Sequence, residues 1–227
     1  MKVFIIGVAG ETGFRLARLL RKRGHKVGGL YRRPEQGKAL NAIGVAGTLA
    51  DLVQIDANEL ADELRGSEVI VFAAGAGEAD DDAMIDAIDG RGVTKSIAAA
   101  KRAGVHRFIL VSVFPEAGRQ QGWGESFEHY IAVKKRAEIA LTQASLDWVI
   151  LRPSTLINET GIGTVSLGPA QLHTEVRRDD VAATIAELVG TPTIRHEILE
   201  LTEGATPIDL AVGLQAKAEG TAGPVSK

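Results

Sequence analysis

Short apolar runs alternate with amphipathic stretches along the first two thirds of this chain, and that rhythm restricts the fold more than any other feature. Five runs, VFIIGV, KVGGLY, EVIVFAA, RFILVSV and DWVILRP, read as strands buried on both faces. Amphipathic helices fill the intervals. ETGFRLARLLRKRG gathers Phe14, Leu16, Ala17, Leu19 and Leu20 on one side and its basic residues on the other, and closes at Gly24. GVTKSIAAAKRAG repeats the device and closes at Gly104, while YIAVKKRAEIALTQAS leads into the fifth run. Strand, helix, strand in succession predicts right-handed crossovers and an α/β fold with a doubly wound parallel sheet, a Rossmann fold, whose site lies at the carboxyl ends of the strands.

The 227 residues fit one domain with a substantial core. We expect a single unit over residues 1–218. From Thr155 to Thr174 the periodicity lapses into glycine-rich and polar sequence, then Asp179 stands as the expected N-cap of DVAATIAELVG, and EILELT reads as a last short strand. Residues 155–210 are too few for a second core, so they are expected to form a small C-terminal lid over the substrate cleft. Residues 219–227 are expected to be a disordered tail.

Charge and cysteine content exclude several classes. The 26 basic and 29 acidic residues are mixed along the chain and leave a formal charge of −3, so there is no basic field to argue for nucleic acid. Cysteine is absent, which removes disulfides and thiolate metal ligands. No apolar run approaches the ~20 residues of a membrane span. A soluble cytoplasmic protein with a small-molecule substrate is expected, its oligomeric state open. No metal is expected, because His25, His106, His129, His173 and His196 are widely spaced and form no H-x-x-x-H pair. The run Glu78 to Asp82 reads as a solvated loop entering a helix.

Gly7, Gly10 and Gly13 stand between the first strand and the first helix, where a helix N-terminus makes an anion site and glycines let a pyrophosphate approach. The spacing G-x-x-G-x-x-G departs from the usual dinucleotide fingerprint, and a ligand-free tight turn is the alternative. At the end of the second strand, where an acidic residue would meet the ribose hydroxyls of NAD, the chain has Tyr31, Arg32 and Arg33. A guanidinium there can grip a 2′-phosphate, which favours NADP(H) over NAD(H); the alternative is a solvated basic turn.

With GVAGETG, YRRP, FAAGAG, AAAKRAGVHRFILVSV, HYIAVKKRAE and LDWVILRPS in this order, the chain resembles the atypical branch of the short-chain dehydrogenase/reductase superfamily, related to flavin and biliverdin reductases and to nitrogen-metabolite-repression regulators. The similarity runs from Met1 to about Leu210. It implies that Gly7, Gly10, Glu11, Thr12 and Gly13 lie under the pyrophosphate and that Arg32 takes the 2′-phosphate with Arg33 assisting. It further implies Asp51 and Leu52 beside adenine, Ala73, Ala74 and Gly75 beside the adenosine ribose, and Pro153, Ser154 and Thr155 at the nicotinamide carboxamide. Catalysis in such reductases would fall to Ser112, Tyr130 and Lys134, with the phenol exchanging the proton, the lysine also holding the ribose, and Ser112 binding the substrate oxygen. Trp123 and Phe127, in the loop before that helix, either stack on a flat substrate or cover the core. The expected function is an NADP(H)-dependent oxidoreductase acting on a small carbonyl, quinone or flavin-like substrate. A non-catalytic NADP(H) sensor and a cofactor-assisted isomerase or epimerase are the alternatives.

Overall fold

A computed structural model describes residues 1–77, 81–116, 122 and 124–219. Trp123 and Glu78 lie outside the described residues, as does the tail from 220 onward. The chain runs β1 (Lys2–Ile6), α1 (Glu11–Lys22), β2 (Lys26–Tyr31), α2 (Pro34–Ala42), β3 (Ala46–Leu49), α3 (Ala57–Leu64) and β4 (Val69–Phe72). A helical run follows, in which α4 (Asp82–Ile85) passes through a π-helical segment, Asp86–Gly92, into α5 (Val93–Ala103). Then come β5 (Arg107–Val111), α6 (Glu125–Thr142), β6 (Asp147–Pro153), β7 (Thr155–Ile157), β8 (Thr164–Gly168), β9 (Glu175–Arg177), α7 (Arg178–Gly190), β10 (Glu197–Glu203), β11 (Thr206–Pro207) and α8 (Ile208–Glu219).

Among the described residues the main sheet has nine strands in the order β11-β8-β10-β6-β5-β4-β1-β2-β3. All pairings from β3 to β10 are parallel, and β8 and β11 close the far edge antiparallel. The parity of the apolar runs decides which helix covers which face. Val3 and Ile5 of β1 pack with Leu16 and Leu20 of α1 and Ile185 of α7, whereas Phe4 and Ile6 pack with Leu60 and Leu64 of α3 and Ile97 of α5. Strands apolar at every position therefore carry helices on both sides, and the fold is the expected α/β Rossmann architecture. Strand order reverses between β1 and β4, which opens a crevice at their carboxyl ends.

Two expectations change in detail. Asp179 is not the N-cap of α7; Arg177 is, because the Asp179 carboxylate is taken by Arg15 at 3.0 Å and by the Gly161 amide at 3.2 Å. The segment 155–210 divides: β7 and β9 form a two-stranded parallel ribbon beyond β6, while β8, β10 and β11 extend the sheet itself. No helix among the described residues is long and apolar enough to cross a membrane.

Candidate active site and nucleotide groove

The three opening glycines serve three different needs. Gly7 has φ +93°, and a side chain there would come within 2.6 Å of the Ala74 amide, so the turn after β1 can pass the end of β4 only without a Cβ. Gly13 is buried on α1 against the carbonyl of Gly7, which lets the helix sit directly on the turn. Gly10 has the ordinary φ of −80°, and a Cβ there would meet only the Gly7 carbonyl, at 3.3 Å. Its small size leaves room on the groove side. Gly10 precedes α1 without a side-chain cap, leaving first-turn N–H groups for an anion.

A groove of about 480 Å³ lies over this turn at the β1/β4 reversal. Gly7, Gly10, Glu11 and Thr12 line one part of it, Tyr31, Arg32 and Arg33 another, and Asp51, Leu52 and Ala73 to Gly77 the rest. Gly13 lies beneath it and is not part of the wall. Gln36 fixes the turn after β2, its Oε1 accepting from the amides of Arg32 and Arg33 at 3.0 Å each. Both arginine side chains are exposed at the groove.

At Ala76 the groove wall meets a polar cluster. Lys134 on α6 is buried, and its ammonium donates to the carbonyl of Val111 at 3.1 Å and to Oδ1 of Asp89 at 3.2 Å. Asp89, fully buried in the π-helical segment, also accepts from the Ala76 amide at 2.9 Å. The carboxylate thus joins the groove wall to the lysine. Ser112 follows Val111 at the end of β5, and its Oγ is buried with no hydrogen-bond partner among the described residues. Tyr130, one turn before Lys134, has its ring centroid 6.0 Å from the ammonium and 6.3 Å from the Phe127 ring. Burial raises the Tyr130 phenol pKa, Lys134 opposes this, and Asp89 reinforces it. Burial works against the charge on Lys134, but Tyr130, Asp89 and Glu138 overcome it, so the ammonium is held above its ordinary value.

Ser112, Tyr130 and Lys134 do not line the groove itself, and neither do Pro153, Ser154 and Thr155. Pro153 is buried at the end of β6. Ser154 is also buried, and its Oγ accepts from the Thr174 amide at 2.7 Å, which secures the start of β9. Thr155 is exposed, 3.5 Å from the His173 ring. Sequence reading missed Asp89 and Arg178, the latter a further wall residue of the groove. A partial signal for Asp89 was present: Ile85, Asp89, Gly92, Val93 and Ser96 recur at helical spacing, and all are buried. Among the described residues no group of three His, Asp or Glu could hold a metal ion.

A family model described as NAD(P)H-binding matches residues 7–192, from the first groove glycine to just past the end of α7. The chain belongs to that NAD(P)H-binding family. A relative from Bacillus subtilis, named an uncharacterized sugar epimerase, is 35% identical over 92% of this chain and 97% of its own. Among solved structures, a putative NAD-dependent epimerase/dehydratase from Bacillus halodurans aligns with TM-score 0.86 and 31% identity, covering 94% of this chain and 99% of that one. ChuY, an anaerobillin reductase from Escherichia coli, aligns with TM-score 0.76 and 25% identity over 89% of this chain and 97% of that one. This NAD(P)H-binding protein therefore has an atypical short-chain dehydrogenase/reductase-like Rossmann fold, related both to reductases and to proteins named as epimerases. Its groove fits a dinucleotide: the glycine turn leaves room for a pyrophosphate, and the uncapped first-turn amides of α1 are donors that an anion would satisfy.

Proposed function

We propose that the protein is an NADP(H)-dependent oxidoreductase that reduces a small carbonyl, quinone or flavin-like substrate, with Ser112, Tyr130 and Lys134 as its catalytic residues. The observation that carries this reading is the buried Ser112 hydroxyl, without a hydrogen-bond partner among the described residues and next to the carbonyl that Lys134 holds. A buried hydroxyl without a partner is costly in a purely structural role, and a substrate oxygen would satisfy it. A reduced nicotinamide supplies hydride when bound. Lys134 has three N–H donors, of which Asp89 and Val111 occupy two, so one is left for a ribose hydroxyl. Tyr130, held as the neutral phenol, would give its proton to the substrate oxygen while Ser112 orients that oxygen. Arg32 and Arg33 at the groove support the 2′-phosphate and hence NADP(H).

NADPH consumption screened against aldehydes, quinones, flavins and anaerobillin tests this. Tyr130→Phe is expected to slow carbonyl reduction by about 10²–10⁴-fold with NADPH affinity nearly intact; carbonyl reduction at the wild-type rate would remove the phenol from the chemistry. The names of the two Bacillus relatives favour a second reading, a cofactor-assisted epimerase acting on a sugar. Epimer interconversion with no net loss of NADPH would establish that reading instead.

A further inference from the structure

Arg178 opens α7, far along the chain from the glycine turn, yet it lines the same groove as Gly7, Gly10 and Thr12. Two ion pairs explain how it gets there. Arg15 meets Asp179 at 3.0 Å and Arg23 meets Glu187 at 2.5 Å, and both pairs span the same 164 positions. Equal spacing two turns apart means that α1 and α7 lie side by side, run in the same direction and begin at the same end. Their first turns, neither capped by a side chain, therefore come together at the glycine end of the groove.

The charges around Arg178 are already matched to one another. Arg15 is paired with Glu11 and Asp179, and Arg177 with Glu159 and Glu203. The Asp180 carboxylate accepts from the amides of Ile162 and Gly163 at 3.0 and 2.9 Å. Arg178 differs: Nη1 donates to the Leu156 carbonyl at 3.2 Å and to Oδ1 of Asn158 at 3.0 Å, and among the described residues it has no carboxylate partner. Two neutral acceptors fix the side chain without cancelling its charge. The glycine turn itself contributes Glu11 and no cation.

We propose that Arg178 is a ligand of the cofactor pyrophosphate, the cation that the glycine turn lacks, supplied to the groove by α7. The inference rests on the dinucleotide reading above. It also ties the groove to β7, since the side chain that would bind the diphosphate is the one that holds Leu156 and Asn158.

Three probes separate the contributions: NADPH, 2′-phospho-ADP-ribose, which keeps the pyrophosphate and lacks nicotinamide, and 2′-AMP, which has no pyrophosphate. Dissociation constants are measured calorimetrically for the full chain. Arg178→Gln is expected to weaken NADPH and 2′-phospho-ADP-ribose by about tenfold or more and to leave 2′-AMP unchanged, with Arg178→Lys between the two. Circular dichroism on each variant verifies that it is folded. Unchanged NADPH affinity in Arg178→Gln overturns the proposal, and so does an equal loss for 2′-AMP, which would mark a general disturbance of the groove. If wild-type protein binds none of the three probes, the dinucleotide reading itself fails and this inference falls with it.

Discussion

Asp89 and Lys134 form a buried ion pair, 1% and 5% exposed at their side chains, and neither charge would be tolerated there alone. Exchanging the carboxylate for an amide of the same shape, Asp89→Asn, is expected to destabilise the protein by about 3–5 kcal/mol at pH 7. The pH dependence carries a sign. In wild type the Lys134 pKa is raised, so its contribution is intact below the unfolded lysine's ~10.4 and is lost only as pH rises beyond it. In Asp89→Asn the burial remains and the facing carboxylate is gone, so the folded-state pKa moves down, and once it lies below ~10.4 stability rises with pH toward that value. Urea unfolding at pH 7 and pH 9.5 measures this, and the deficit should narrow at the higher pH; an equal deficit at both would mean that the ion pair is not its source. The glycine turn, and the shared face of α6 that carries Tyr130 and Lys134, were legible because each depends on spacing along the chain. Asp89 was harder to read, since DAIDGRG is mostly polar and its helical spacing with Ile85 and Val93 does not tell that a carboxylate on the buried face will find Lys134, 45 positions away.

At the scale of elements, legibility followed pattern strength. The five long apolar runs became β1, β2, β4, β5 and β6, because strands apolar at every position have only one environment available. β3 went unread: AGTL is four residues long and half-exposed, and it is a strand because the edge of β2 offers it hydrogen bonds. The three-residue β7 and β9 likewise exist through their pairing. What fixes the turn between β7 and β8 is Asp180, 4% exposed, whose carboxylate serves two successive backbone amides across the start of α7. Asp180→Ala should cost about 1.5–3 kcal/mol, the range for hydrogen bonds to a charged group. Hydrogen exchange at the amides of 162 and 163 should rise with it. Wild-type protection there in the variant would show that the β8 pairing alone holds the turn.

Across the whole molecule, the groove draws on the ends of β1 and β2, on the turns that follow β1, β2, β3 and β4, and on α7, parts scattered through the sequence and brought to one edge by the strand order. A ligand bound there bridges parts of the chain that unfold together, so binding appears as global stability. With NADPH at 100 times its Kd the gain is about 2.7 kcal/mol, and at about 2–4 °C per kcal/mol for a chain of this size the melting temperature should rise by about 5–11 °C. NADH at the same concentration should give a smaller shift, because it offers Arg32 and Arg33 no 2′-phosphate to neutralise. Arg32→Ala should bring the NADPH shift down toward that of NADH while leaving the unliganded melting temperature within about 1 °C, since the side chain is exposed. Thermal unfolding of both proteins with each cofactor decides the matter. Equal NADPH shifts in wild type and Arg32→Ala would assign the 2′-phosphate to another residue, with Arg33 the next to substitute.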